Sequence, residues 1–201
     1  MSFTECAYAI FVRSIADYHI LDSVDSEPKN PYTNGSIEFY LYLKNWIDTV
    51  QWHLEDIIRD PDIDPKKALE IKRRIDRSNQ ERTDLVETID SLFYDRYKDI
   101  KPLKGAAINT ESPAWAIDRL SILALKIFHM QKEAQREDID KKQRLSVESK
   151  LNVLLTQKSD LSLAIEQLLE DIEGGRKYMK VYKQMKMYND PSLNPILYAK
   201  K

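Results

Sequence analysis

The chain has 201 residues, 42% apolar and 32% charged, with a formal charge of -2. That balance excludes a disordered chain, and its slight acidity gives no global pull toward nucleic acid or anionic lipid, so no nucleic-acid partner is expected. Cys6 stands alone and excludes an internal disulfide, the start MSFTECAYAIF lacks the basic residues of a signal peptide, and no run nears the roughly 18 apolar residues of a membrane span.

The first helix is expected over residues 4–21, before the polar loop DSVDSEPKNPYTNG. Ser36 then caps a helix over 36–59 whose packed stripe, Leu43, Trp46 or Ile47, Val50, Leu54 and Ile57, keeps the helical period. DPDIDP ends it: Asp64 is placed to cap the next helix and Pro65 to take its first position, where a missing N–H costs nothing. That helix runs over 65–97, with Ile75, Ser78 or Asn79, Arg82, Leu85 or Val86, and Ile89 on its inward line. A looser connector over 98–110 is the one weak candidate for a domain boundary.

Ser112 and Pro113 open a helix over 114–134, whose apolar positions from Ile117 to Met130 cover a wide arc and set it deep in the bundle. The most regular segment covers 142–173. There Val147, Leu151, Leu154, Lys158, Leu161, Ile165, Leu168 and Ile172 form a heptad seam broken only at Lys158, and Gly174 and Gly175 stop the helix. A short amphipathic helix is expected over 176–188, docking Val181, Met185 and Tyr188, with Ile196, Leu197 and Tyr198 tied down as an ordered tail. The expected fold is all-α: an antiparallel bundle of four to five long helices, in one cytoplasmic domain over residues 1–201. The long seam can close within the chain or across a two-fold axis, so a homodimer is one expected partner state.

Two polar groupings carry the candidate chemistry. His53 and Asp56 lie three residues apart, a spacing suited to holding a divalent ion or passing a proton, while Glu55 leans toward Arg59. The same residues also read as a core-edge histidine beside a solvated ion pair. On the next helix Asn79 and Arg82 stand where leucines belong. A guanidinium turned toward a helix interface needs a carboxylate, from Asp56, Glu87 or across the bundle, where Asp118 is available. In one reading Asn79, Arg82 and Asp118 bind a small anionic ligand without a metal; in the other they are a buried network that fixes helix register.

An alternative assigns Asp56, Glu87 and Asp90 to magnesium, with His53, Asp56 and Glu87 as the catalytic set of a phosphate-ester or nucleotide hydrolase. His19 is expected at the surface and His129 at the core edge, and three histidines with one cysteine leave little material for zinc. No nucleophile elbow, dinucleotide fingerprint, Walker loop or HExxH occurs.

The segments QWHLEDIIR, RIDRSNQERTDLVETID, ESPAWAIDRLSILALKIFHM and VYKQMKMYNDPSLNP, in this order, resemble the bacterial family called domain of unknown function 4254, over residues 40–198. The resemblance implies a small helical bacterial protein, seen mainly in Bacteroidetes, with no assigned catalytic residues. Relatives' genes often stand beside sugar-transfer genes for cell-surface polysaccharide, which implies an accessory role and a protein partner in envelope biosynthesis. Glu87-Thr88-Ile89-Asp90 also resembles the ExxD element of all-α NTP pyrophosphohydrolases of the MazG type. The preceding helix offers His53-Leu54-Glu55-Asp56 in place of their ExxE, so half of that motif is missing. The leading expectation is an accessory or interaction protein with an anion-binding pocket between helices, the alternative is the magnesium-dependent hydrolase, and the residues alone do not decide whether the chain is an enzyme.

Overall fold

Helix ends follow from local side-chain chemistry. In the computed structural model, which describes residues 1–187 and 190–199, the side chains of Ser2, Ser36, Asp64, Ser112 and Asp140 each accept a first-turn backbone N–H. They open α1 (Phe3–Leu21), α2 (Ile37–Ile58), α3 (Pro65–Tyr97), α4 (Pro113–Ala134) and α5 (Lys141–Glu173). Pro65 and Pro113 occupy first-turn positions, as their lack of an N–H allows.

These five helices make an all-α bundle. The pairs α2–α3 and α4–α5 fold back as hairpins, whereas the long loop after α1 carries the chain back so that α1 and α2 run in the same general direction. Ser14 thus donates to the Tyr42 carbonyl, and Tyr18 packs edge-on against Trp46 and flat against His53. The core draws Phe11, Ile15 and Tyr18 from α1, Tyr42 and Trp46 from α2, Val86, Ile89 and Phe93 from α3, Ile117 and Leu120 from α4, and Ile165 and Ile172 from α5. Half of α4 is buried, because it meets the other four long helices.

The C-terminal half of the α5 seam is spent inside the chain, while Val147, Leu151 and Leu154 are half-buried. Ile165, Leu168 and Ile172 are buried, Leu161 packs on the core, and Lys158 lays its ammonium over the Tyr8 ring at 3.8 Å, so the break in the seam is filled by a cation–π contact.

The region after α5 departs from expectation. In place of a helix over 176–188 stands a two-residue strand, β2 (Lys177–Tyr178), paired in parallel with β1 (Ala107–Ile108) from the connector, and residues 179–187 carry neither helix nor strand. The chain is pulled off the helical path by backbone bonds to that connector: Leu103 N–H donates to the Gly175 carbonyl and Ala107 N–H to Arg176. Gly175 sits at φ +69°, and a Cβ there would meet the Lys101 carbonyl oxygen at 2.9 Å, so glycine is required for this close approach. Met185 is 81% exposed rather than docked, and Tyr188 lies outside the described residues. The short helix that does occur is α6 (Pro195–Tyr198), and its Ile196, Leu197 and Tyr198 stand largely in solvent instead of being tied down.

Candidate functional site

The site begins with an inversion on α2. Trp46 and Leu54 of the expected stripe are buried, but Leu43, Ile47 and Val50 are only half-buried and line a groove beside Arg74 and Arg77 of α3. The more enclosed face carries Lys44, Asn45, Asp48 and Thr49. Burying such groups is tolerable only when they satisfy one another. Lys44 Nζ contacts Asp48 Oδ2, lies 2.7 Å from Asp118 Oδ1 and donates to the Asp118 carbonyl at 3.2 Å. Ser121 Oγ donates to Asp48 at 2.7 Å, and Asn45 Nδ2 donates to Ser121 Oγ at 2.9 Å.

Arg82 closes the cluster from α3. Its Nε and Nη2 form a fork onto Asp118 at 3.0 and 2.8 Å, and its Nε stands 3.4 Å from Asp48. Two cations thus face two carboxylates across three helices. Burial works to raise the Asp118 carboxyl, but Lys44 and Arg82 outweigh it and hold the group below the ordinary carboxylate range. Asp48 is shifted the other way: burial pushes its carboxyl up, and the Asp118 charge adds to the rise.

Unlike its partners, Arg82 keeps a quarter of its side chain exposed, and among the described residues its Nη1 makes no hydrogen bond. It lines a groove of about 400 Å³ together with Trp52, Ile122 and Leu125 as an apolar wall and Gln51, Glu55, Asp56 and Arg59 toward the rim.

The other expected site residues go elsewhere. Asn79 faces α2, its Oδ1 accepting from Gln51 at 2.9 Å, and its carbonyl accepts from Lys186. Asp56 is mostly exposed, 3.9 Å from Arg59. Glu87 accepts the Gln184 backbone N–H, and Asp90 is buried, accepting from Ser112 Oγ at 2.5 Å and from Ala114 N–H at 3.2 Å. Asp56, Glu87 and Asp90 therefore do not gather as a three-carboxylate metal group among the described residues. Glu87 and Asp90 stand one turn apart on α3, and each of the three carboxylates engages a different neighbour.

His53 makes no ion pair with Asp56 among the described residues and joins two histidines that the sequence sets apart. One ring nitrogen each of His19, His53 and His129 lies within 4.8 Å of the others. His19, expected at the surface, is only 10% exposed at its side chain, because Phe128 and His129 of α4 close over it. Burial, followed by the neighbouring rings, lowers His129 to about 4, and burial and the His19 ring also depress His53.

Neither the inward lysine nor the histidine group has a spacing motif. The one local signal is Lys44 and Asp48 at i,i+4, a pattern shared by many solvated helix faces. Comparison with curated proteins and with solved structures gives no match. Residues 38–181, which include the whole ionic cluster and both His53 and His129, match the family described as a protein of unknown function (DUF4254), and the chain belongs to that family.

Proposed function

We propose that this protein is a helical accessory protein of envelope biosynthesis whose α2–α3–α4 groove holds a small anionic ligand. The observation that carries the reading is Arg82. Two of its nitrogens are locked onto Asp118, so the guanidinium is held without loss of further rotamer freedom, while Nη1 keeps two N–H donors without a partner among the described residues, on a side chain that lines a groove of ligand size. Trp52 adds a flat apolar face suited to a sugar or base ring. Glu55 and Asp56 at the rim neutralise Arg59 and disfavour a highly charged anion, so a diphosphate ester such as a nucleotide-sugar fits better than free pyrophosphate. The family's neighbourhood of sugar-transfer genes supports the same ligand class and a protein partner in that process.

The reading sets the protein in the cytoplasm, where the exposed, unpaired Cys6 stays reduced, and no helix among the described residues is long and apolar enough to cross a membrane. A homodimer, in this proposal, rests on the exposed α5 flank of Leu145, Val153 and Leu163, because the C-terminal half of the seam is occupied.

Calorimetry with nucleoside diphosphates, nucleotide-sugars and pyrophosphate tests the groove. Arg82→Lys keeps a charge for Asp118 and loses the open fork; it is expected to weaken binding on the order of tenfold or more, whereas Arg119→Gln, outside the groove, leaves it unchanged. No heat with any of these compounds, or equal affinity in Arg82→Lys, rejects the groove as their site.

A further inference from the structure

We propose that His19, His53 and His129 form a binding site for a zinc-type divalent transition-metal ion, with Asp22 on its solvent side. The site lies behind the Arg82 groove, separated from it by the Trp52 ring, and does not depend on the groove's ligand.

Geometry brings the donors together from three helices. His19 ends α1, His53 lies near the end of α2, and His129 lies near the end of α4. His19 Nδ1 is 2.7 Å from the Ile15 carbonyl, a contact that requires the proton on Nδ1 and leaves Nε2 with a lone pair that accepts from His53 in the metal-free chain and can bind a metal instead. His19 Nε2 and His53 Nε2 are 3.3 Å apart. Two nitrogens bound to one tetrahedral zinc at about 2.0–2.1 Å each are separated by roughly 3.3–3.4 Å, so this pair already has the required edge. The third ring lies within reach of the same centre, since all three donor atoms fall within 4.8 Å of one another.

A second observation points to a ligand. His129 Nε2 is buried and has no hydrogen-bond partner among the described residues, a state that costs free energy unless something else supplies the partner. A metal ion bound at that nitrogen supplies it. The rings are held in place by packing: Tyr18 stacks on His53 at 5.2 Å, Trp52 on His129 at 4.7 Å, and Phe128 lies 4.5 Å from His19.

Asp22 faces the same centre. Its Oδ1 is 3.9 Å from His19 Nε2 and 4.0 Å from His53 Nε2, and its side chain is 62% exposed. It caps α1 at φ +47°, a left-handed conformation more usual for glycine or asparagine. Three imidazoles with one carboxylate or water form an open site for zinc or a neighbouring first-row ion. Magnesium, which requires oxygen donors and keeps its waters, is disfavoured.

The experiment titrates zinc and, separately, magnesium into the chelator-treated full chain by calorimetry, and cobalt(II) into the same protein by visible absorption. One zinc per chain is expected, with intense visible bands for a four-coordinate, nitrogen-bound cobalt ion and no saturable magnesium heat. His53→Gln and His129→Gln should each weaken zinc by more than the roughly 10–100-fold typical of losing an outer-shell partner. Asp22→Asn should weaken it less. A variant that loses its helical circular dichroism is read instead through His19→Asn, whose amide can keep the bond to the Ile15 carbonyl. Absence of zinc binding overturns the site, as do cobalt spectra without four-coordinate bands and zinc affinity that survives all of the folded histidine variants. In each case the three rings are ordinary aromatic packing at the end of the bundle.

Discussion

Asp48 and Asp118 are chemically identical side chains in one cluster, yet the structure moves them in opposite directions. Asp118 receives Lys44 at 2.7 Å and the Arg82 fork, and these favourable charges exceed its burial cost. Asp48 is also buried and shares the same two cations with a second carboxylate, and there desolvation dominates. The linkage to stability follows from these signs. The depressed Asp118 contributes stability that is fully present above the unfolded carboxylate value of about 3.9 and is lost as pH falls through its lower folded value. For the raised Asp48 the contribution is fully present below about 3.9 and is lost as pH rises through its higher folded value. Asp118→Asn is therefore expected to cost most at neutral pH and progressively less in acid, while Asp48→Asn shows the reverse trend. Urea unfolding of both variants and the parent chain, from about pH 7 to pH 3, checks this. Parallel pH trends in the two variants would show that the carboxylates share one environment.

At the scale of elements, Asp90 has a structural task at the connection between α3 and α4. Its carboxylate reaches across to the start of α4, where it accepts from Ser112 Oγ and from the otherwise unsatisfied Ala114 N–H. A side chain from one helix thus completes the cap of the next. Asp90→Ala leaves that buried N–H unpaired and should destabilise the fold by about 1–3 kcal/mol, whereas Asp90→Asn, which still accepts through its amide oxygen, should cost less. Chemical denaturation, repeated with and without magnesium, separates the two roles: a stability difference that depends on magnesium would return Asp90 to a metal site. The helix boundaries here are legible in the sequence because Ser112-Pro113 and Asp64-Pro65 act within one turn. The rotation of α2 is not. Its apolar stripe and its polar stripe are both at helical period, and the choice of which one faces α4 is made by Asp118, 74 positions from Lys44. Arg82 is legible as a misfit among leucines, and its need for a carboxylate follows from charge burial alone. The histidine cluster is hidden for the same reason as Lys44, since His19 and His53 stand 34 positions apart and meet only because α1 and α2 run alongside each other.

For the whole molecule, the boundary of the family match raises the question of which parts the fold requires. The match begins at residue 38, after α1, and ends at 181, before the segment that crosses α3. The two flanks differ physically. α1 sinks Ile10, Phe11, Ile15 and Tyr18 into the core, each at 5% exposure or less. At roughly 1.5–3 kcal/mol for each large buried side chain, their removal matches most of the net stability of about 5–15 kcal/mol expected for a domain. It also uncovers Tyr42 and Trp46. Among the described residues the C-terminal flank, by contrast, meets α3 through Gln184 on Glu87 and Lys186 on Asn79 and Thr83, while Tyr182, Met185 and Met187 remain exposed. Removing residues 182–201 should therefore lower Tm by only a few degrees and preserve one cooperative transition, because about 1 kcal/mol shifts a domain of this size by roughly 2–4 °C. Removing residues 1–35 should abolish the cooperative transition and the near-ultraviolet circular dichroism while retaining helical signal, the behaviour of packed helices that have lost a wall of their core. Both truncations can be compared in one thermal series. A cooperative, native-like transition in the chain lacking α1 would mean that the family segment carries its own core. In that case α1 would be an added element that supplies His19 to the end of the bundle rather than a part of the framework.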